Sequence, residues 1–183
     1  MEIIKAVPNQ KIIKNLLIIF LSSLLITISA KIKIPFYPVP MTMQTFVVML
    51  VGITFGWKIG VATISLYLFE GIIGLPVFAG TPEKGIGLTY FVGPTMGYLV
   101  GFIFATFIAG YLNFNTNIFF IFLKLIFSVS IIYILGVSWL GNLIGWDKPV
   151  LELGLKPFLY AELFKILLLT ILTKKLITLR KFI

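Results

Sequence analysis

The chain has 183 residues, of which 60% are hydrophobic and 11% are charged, and its mean hydropathy is +1.12. A soluble domain of this size could not bury that much apolar surface, so the composition indicates a protein whose solvent is mostly lipid. The absence of cysteine and histidine excludes disulfides, thiol chemistry and the usual transition-metal ligands. The net charge of +9 comes from single or paired cations between apolar runs, a pattern that does not favour nucleic acid as a partner.

Apolar runs divide the chain into candidate membrane spans, because a bilayer core of about 30 Å takes about 20 helical residues to cross. Backbone groups in lipid must be satisfied within their own segment, and the alternation of a membrane β-barrel is absent. We therefore predict a single all-α membrane domain over residues 1–183, a compact bundle of six transmembrane helices. The expected spans are 12–30, 42–57, 59–75, 94–112, 118–140 and 157–176.

Two parts of this division have alternatives. The first span follows Lys5, Lys11 and Lys14 and has features of a signal peptide, but five more apolar runs come after it, which favours a retained helix. Spans two and three are short and are separated only by residues 56–58. One long tilted helix plus a re-entrant piece is the alternative for that region.

Residues 35–45 interrupt two apolar runs with three prolines in six residues and then place Thr42, Gln44 and Thr45 at the mouth of the second span. A polar, rigid, non-helical segment at a membrane edge suggests a binding site. Since prolines limit the conformations that are lost on closing, we expect residues 35–42 to act as a lid.

The distribution of cations favours a topology with both termini in the cytoplasm. The expected inner cations are Lys5, Lys11, Lys14, Lys58, Lys174, Lys175, Arg180 and Lys181, against Lys31, Lys33, Lys84, Lys148 and Lys156 outside. On this topology the outer connections, 31–41, 76–93 and 141–156, are the longer ones and carry most of the prolines. Irregular loops on one face of a helical bundle can build a pocket, so we expect a ligand pocket near the outer face.

Ionisable residues inside spans are costly and therefore indicate function. Glu162 and Lys165 lie three residues apart in the last span, so both project from one helix face and can pair there. A carboxylate that accepts from N–H groups, beside an ammonium that donates to a carbonyl, matches a small ligand such as a cyclic urea. The alternative is an interfacial ion pair whose side chains snorkel to the membrane surface without binding a ligand. Glu70, in the third span, is either a ligand residue or a neutral acid hydrogen-bonded between helices.

Ser23, Thr27 and Ala30 form a small-residue stripe on the first span, which could dock another membrane protein or pack internally. The chain has no phosphate-binding loop of the Gly-x-x-x-x-Gly-Lys-Ser/Thr type and no soluble domain to hydrolyse ATP. A transporter this small would take its energy from elsewhere or be passive. Without His, Cys or a carboxylate cluster, an enzyme or a bound cofactor is not expected.

Three motifs together resemble the BioY family, the biotin-binding S components of energy-coupling-factor (ECF) transporters. They are residues 38–45 (PVPMTMQT), 74–80 (GLPVFAG) and 93–102 (GPTMGYLVGF). The resemblance covers nearly the whole chain and implies an S-component-like fold in a bacterial cell membrane. It further implies a subunit that captures biotin outside and delivers it inward when joined to a transmembrane coupling subunit and two cytoplasmic ATPases.

The resemblance also implies roles for individual residues. The family's acid-x-x-Lys motif falls on Glu162 and Lys165, which would contact the ureido ring of biotin. The family more often has Asp preceded by Pro-Gly, whereas this chain has Tyr160 and Ala161 before a longer acid, so the carboxylate must be set back or the ring must shift. The family's helix-one motif, two alanines four apart, is matched by Ser23 and Thr27 in spacing only.

Biotin is apolar at the flanks of its bicyclic ring and polar at one edge, so we expect aromatic and aliphatic walls with a few convergent polar groups. The expected walls are Phe78, Tyr90, Tyr98 and Trp139, and the expected polar set is Gln44, Thr95, Asn142, Glu162 and Lys165, with Glu70 as a further candidate. Lys31, Lys33 and Lys84 lie on the side where biotin's carboxylate would be, or are solvated loop cations.

Two other functions compete with this one. The first is a small secondary transporter driven by an ion gradient, with Glu70 and Glu162 as proton or cation sites, although no inverted repeat is visible. The second is an S component for a different vitamin.

Overall fold

The structure is a computed structural model that describes the backbone of residues 8–182 and the side chains of residues 10–180. Lys5 and the side chain of Lys181, both in the expected inner cation set, lie outside the described residues. The elements in chain order are α1 (Pro8–Lys31), β1 (Lys33–Ile34), β2 (Met41–Thr42), α2 (Gln44–Ile72), α3 (Leu88–Phe91), α4 (Met96–Tyr111), α5 (Ile118–Ile144), α6 (Val150–Gly154), a 3₁₀ helix (Lys156–Phe158), α7 (Leu159–Leu176) and a second 3₁₀ helix (Ile177–Phe182).

The 29 residues of α2 form two antiparallel legs, because the chain reverses at Gly56 (φ 79°, ψ 171°). Gln44 Nε2 donates a hydrogen bond to the Tyr67 hydroxyl at 2.7 Å, although a straight helix would separate these residues by about 34 Å. Positive φ costs glycine little, which is why this residue can turn the chain between the legs 44–55 and 57–72. The reversal corresponds to two short helices and not to one long tilted one.

The bundle therefore has six helical legs: α1, the two legs of α2, α4, α5 and α7. The legs approach closely at glycines of α4. A Cβ built on Gly97 would lie 2.4 Å from the Leu135 carbonyl oxygen, and one on Gly101 would lie 2.7 Å from the Ile132 Cα. Such contacts let the backbones of α4 and α5 touch, as is common between membrane helices.

Apolar side chains cover the outer surface of the bundle. Among the described residues, three helices are long and apolar enough to cross a membrane, namely Gln10–Lys31, Gln44–Ile72 and Ile118–Ile144, and Met96–Tyr111 is a shorter apolar helix. Large apolar residues such as Leu16, Phe119 and Phe164 are exposed on α1, α5 and α7. This surface is suited to lipid and would be unstable in water.

The only strands in the described part of the chain belong to a small hairpin between α1 and α2. β1 and β2 pair antiparallel, with Lys33 opposite Thr42 and Ile34 opposite Met41. We call residues 33–42 the lid hairpin. It contains residues 35–42, the segment expected to act as a lid, whereas Gln44 and Thr45 of the expected non-helical segment 35–45 belong to α2.

The two ends of the bundle differ in their connections. The lid hairpin, the connection 73–95 and α6 lie at one end, which we call the roofed end. The reversal of α2, the connection between α4 and α5 and both ends of the described chain lie at the other, the terminal end. At the terminal end Arg180 Nε donates to the Ile53 carbonyl at 2.7 Å and ties the last 3₁₀ helix to the first leg of α2.

Candidate functional site

A cavity of about 50 Å³ lies under the roofed end, between the starts of α2, α4 and α7 and the second half of α5. We call it the chamber. The residues that line it are Val39, Pro40, Met41, Thr42, Gln44, Thr45, Phe78, Ala79, Tyr90, Thr95, Tyr98, Leu99, Phe102, Ile132, Tyr133, Phe158, Glu162 and Lys165. This volume has room for a few water molecules.

Glu162 and Lys165 meet on one wall of the chamber. Their spacing puts them one helical turn apart on the same face of α7, and Lys165 Nζ lies 3.3 Å from Glu162 Oε2. Both residues are only 5% exposed. A buried ion pair is stable only when further hydrogen bonds satisfy both partners, so the neighbours of the pair decide what it can do.

The ammonium of Lys165 has three protein acceptors. Besides Glu162, it donates to the backbone carbonyl of Thr42 at 2.7 Å and to Thr45 Oγ1 at 2.9 Å. An ammonium has three donors, so all are in use. The carbonyl of Thr42 belongs to the lid hairpin, and Lys165 therefore joins the lid to α7.

The carboxylate of Glu162 accepts all of its hydrogen bonds on one oxygen. Oε2 accepts from Thr45 Oγ1 at 3.0 Å and from the Tyr133 hydroxyl at 2.8 Å, in addition to Lys165. No residue in the described part of the chain donates to Oε1. This second oxygen is thus the acceptor that the protein leaves open.

Aromatic rings build the opposite wall. Phe78 stacks on Tyr90 with ring centroids 4.6 Å apart and meets the edge of Tyr67 at 5.3 Å. The Tyr98 hydroxyl donates to the Gly154 carbonyl at 2.7 Å, which joins α4 to α6. These contacts fix the rings, so the wall is preformed.

The remaining expected residues at the mouth of α2 and the start of α4 also line the chamber. Gln44 is buried, and its amide is held between the Tyr67 hydroxyl at 2.7 Å and the Thr42 hydroxyl at 3.3 Å. Thr95 lines the chamber one turn before Tyr98. The structure thus brings Gln44, Thr95, Tyr98, Phe78, Tyr90, Glu162 and Lys165 together around one cavity.

Three other expected ligand residues lie outside the chamber lining. Trp139 Nε1 donates to the Gly93 carbonyl at 2.9 Å, and the exposed Asn142 accepts from Trp146 Nε1 at 3.1 Å. Glu70 is buried and accepts a hydrogen bond from Ser23 Oγ of α1. None of the three lines the chamber in this structure, and their contacts with a ligand stay predictions.

The small-residue stripe of α1 faces the bundle. Ser23 and Ala30 are fully buried and Thr27 is half-buried, while Leu16, Phe20 and other large apolar residues of α1 point outward. The stripe packs internally in this structure, and Ser23 joins α1 to Glu70.

The three lysines considered for biotin's carboxylate hold the roof together. Lys31 Nζ donates to the Phe78 carbonyl at 2.8 Å and Lys33 Nζ to the Ala79 carbonyl at 2.8 Å. Lys84 Nζ donates to the Pro38 carbonyl of the lid hairpin at 3.0 Å. The lid hairpin and the connection after α2 are therefore joined at backbone carbonyls.

Sequence reasoning missed Tyr133 and Phe158 and did not include Thr45 among the ligand residues. Tyr133 carries a hydroxyl in the middle of a strongly apolar helix, which is a signal for an internal polar partner. Thr45 follows Gln44 within the first family motif. Phe158 has no comparable signal, because phenylalanine is common throughout this chain.

An apolar groove of about 540 Å³ runs along the outer side of α5 and α7. Its lining consists mainly of aliphatic side chains, among them Ile134, Leu159 and Leu163. Tyr133 and Glu162 border both this groove and the chamber. The two side chains form the partition between the two spaces.

Known proteins resemble this chain in sequence and in fold. The BioY family model matches residues 4–182. The chain is 33% identical over 163 residues to the probable biotin transporter BioY of Pyrococcus horikoshii, with 89% of this chain and 96% of that protein covered. It is 37% identical over 153 residues to the biotin transporter BioY of Thermotoga maritima, with 83% of this chain and 89% of that protein covered.

A solved structure supports the same assignment. The crystal structure of the S-component for biotin from an ECF-type ABC transporter superposes with a TM-score of 0.76 at 26% identity, and covers 93% of this chain and 94% of that chain. The expected fold class, an all-α membrane bundle of S-component type, is confirmed by this match. With a family model that spans almost its whole length and relatives above 30% identity, the chain belongs to the BioY family.

Proposed function

We infer that this chain is a biotin-binding S component of an ECF-type transporter and that its role is substrate capture for transport, not catalysis. The observation that carries the inference is the buried pair of Glu162 and Lys165 on the wall of a roofed chamber, in a chain of this family. Ionisable residues buried in a membrane bundle are costly to insert and usually mark a ligand or ion site.

The pair offers a match for the ureido ring of biotin. A ring N–H would donate to Glu162 Oε1, the oxygen that accepts nothing from the described residues, while the ring carbonyl would accept from Lys165 Nζ. The apolar flanks of the bicyclic ring would lie between the Phe78 and Tyr90 wall and the rings of Tyr98 and Tyr133. The polar edge and the apolar flanks of biotin thus each have a counterpart.

Ligand entry would require the lid hairpin to move. A chamber of about 50 Å³ has room for a few waters only, so the bound state must be larger. Since all three donors of Lys165 are in use, the ligand carbonyl must replace one acceptor, and the Thr42 carbonyl is the one carried by the lid. Exchange of this single contact would link occupancy of the chamber to the position of the lid.

We propose that the roofed end faces the outside of a bacterial cell membrane and that both termini are cytoplasmic. All carboxylates of the described chain, Glu70, Glu83, Asp147, Glu152 and Glu162, lie toward the roofed end. The terminal end carries Lys11, Lys14, Lys58, Lys124, Lys174, Lys175 and Arg180. Cations near the ends of short loops favour the cytoplasmic side.

Release inward would depend on partners. The sequence has no nucleotide-binding motif, so we propose that a transmembrane coupling subunit and two cytoplasmic ATPases supply the energy, and that membrane lipid surrounds the bundle. Docking of the coupling subunit through Ser23, Thr27 and Ala30 stays a proposal. It would require α1 to move away from the bundle, since Ser23 and Ala30 are buried.

Ligand-dependent thermal stabilisation across a panel of vitamins tests the function. A ligand present at 100 times its dissociation constant adds about 2.7 kcal/mol to the stability of the purified protein. We expect biotin to do so and other vitamins to have no effect. Stabilisation by another vitamin alone would refute the biotin assignment. Uptake that survives ATP depletion and collapses with a protonophore would favour an ion-driven transporter instead.

A further inference from the structure

A second cavity, of about 570 Å³, lies at the terminal end. It is formed by residues 112–116, between α4 and α5, and by the junction of α7 with the last 3₁₀ helix, where Lys174, Ile177, Thr178 and Arg180 line it. Among the described residues no carboxylate contributes to this lining, whereas two cations and several amide or hydroxyl groups do. This composition is suited to an anion.

Two features leave cationic donors available in this cavity. Arg180 is held in place because its Nε and Nη2 donate to the carbonyls of Ile53 and Gly52, at 2.7 and 3.1 Å, at the end of the first leg of α2. The helix reverses at Gly56, which leaves these carbonyls without helical partners. Arg180 Nη1 and Lys174 Nζ have no acceptor in the described part of the chain, and the buried Thr116 hydroxyl also lacks a partner there.

The electrostatic surroundings strengthen this preference. The five described acids lie toward the roofed end, so cations predominate among the described residues of the terminal end. These described residues give the terminal end a positive potential.

We propose that this cavity binds the phosphate group of an anionic membrane phospholipid. A lipid fits better than free phosphate because the donors lie beside apolar side chains, Leu112 and Ile177, and next to the exposed apolar start of α5. A headgroup in the cavity would let its acyl chains continue along that surface. Basic pockets between membrane helices on the cytoplasmic side bind such headgroups. The proposal does not depend on the identity of the vitamin.

Phosphatidylglycerol is the probe for this test. We would titrate short-chain phosphatidylglycerol, phosphatidylcholine and, separately, inorganic phosphate into the detergent-purified protein and follow the unfolding temperature. Phosphatidylglycerol is expected to stabilise the wild type with saturation, while the other two do not. Lys174→Gln should weaken the apparent affinity for phosphatidylglycerol about fivefold, from the loss of one cation near the headgroup.

Lys175→Gln is the matched control, since it removes an adjacent cation from the same helical turn that does not line the cavity. It should bind phosphatidylglycerol as the wild type does. An equal loss in both variants would indicate non-specific attraction and overturn the proposal, as would equal stabilisation by phosphatidylcholine. Saturation by inorganic phosphate at the same affinity would assign the cavity to a free anion and refute the lipid. Biotin affinity measured on the same samples reports separately on the chamber.

Discussion

Removal of the Lys165 ammonium is the most direct perturbation of the chamber. In the structure Lys165 donates to the Thr42 carbonyl, Thr45 Oγ1 and Glu162 Oε2. In the complex it would donate to the ureido carbonyl in place of the Thr42 carbonyl. A hydrogen bond to a charged group contributes about 1.5–3 kcal/mol, and about 1.4 kcal/mol corresponds to a factor of ten. We therefore predict that Lys165→Ala weakens biotin binding by more than tenfold.

The variant is expected to remain folded, because Glu162 keeps two donors, the hydroxyls of Thr45 and Tyr133. Isothermal titration of biotin into the purified variant measures the affinity, and gel filtration with a thermal melt checks the fold. Lys156→Ala is the control, since Lys156 forms an exposed pair with Glu152 just before α7. A folded Lys165→Ala protein with the affinity of the wild type would refute the assignment of the site.

Three further variants test the ion pair, the helix packing at the terminal end and the lid contact. Tyr133→Phe removes one donor to Glu162 and should weaken biotin binding about tenfold by titration calorimetry, at unchanged fold. Gly110→Ala should lower the unfolding temperature by about 2–12 °C, because its Cβ would lie 2.3 Å from the backbone nitrogen of Trp57, an overpacking that costs about 1–3 kcal/mol. Lys84→Ala removes the contact to the lid hairpin and should speed biotin release in stopped-flow experiments by up to about tenfold.

Each of these has a matched comparison. Tyr160→Phe changes an exposed tyrosine of α7 and should leave biotin affinity unaltered. Gly56→Ala introduces backbone strain of about 1–3 kcal/mol, because its φ and ψ lie in a region essentially confined to glycine. No atom lies within 4 Å of its Cβ, so this variant measures strain without the overpacking of Gly110→Ala. Lys148→Ala removes an exposed cation of the roofed end that does not touch the lid. Release rates equally raised by Lys148→Ala and Lys84→Ala would contradict the role of the lid contact.

The sequence allowed the pair on α7 to be predicted because helical spacing alone places residues three apart on one face. It also identified the segment around Gly56 as a boundary, since a glycine, a tryptophan and a lysine interrupt two apolar runs there. Local pattern was sufficient in both cases. The order of the family motifs added Gln44, Phe78, Thr95 and Tyr98, which all line the chamber.

The sequence could not predict in the same way which residues along each helix lie at the level of the chamber. Trp139 lies seven residues beyond Ile132 of the chamber wall, about 10 Å further along α5, and there it reaches the Gly93 carbonyl. Residue type suggested an aromatic wall, but the position of the chamber along α5 depends on how α4 and α7 pack against that helix. The rotation of α1, which turns Ser23 toward Glu70, likewise depends on tertiary packing that a small-residue pattern does not define.

The thinness of the partition formed by Tyr133 and Glu162 has a practical consequence. One phenol ring and one carboxylate stand between the chamber and any amphiphile that coats the bundle between α5 and α7. Detergent tails of different length would press on that partition differently. Affinities for this protein are therefore comparable only when the solubilising amphiphile is held constant.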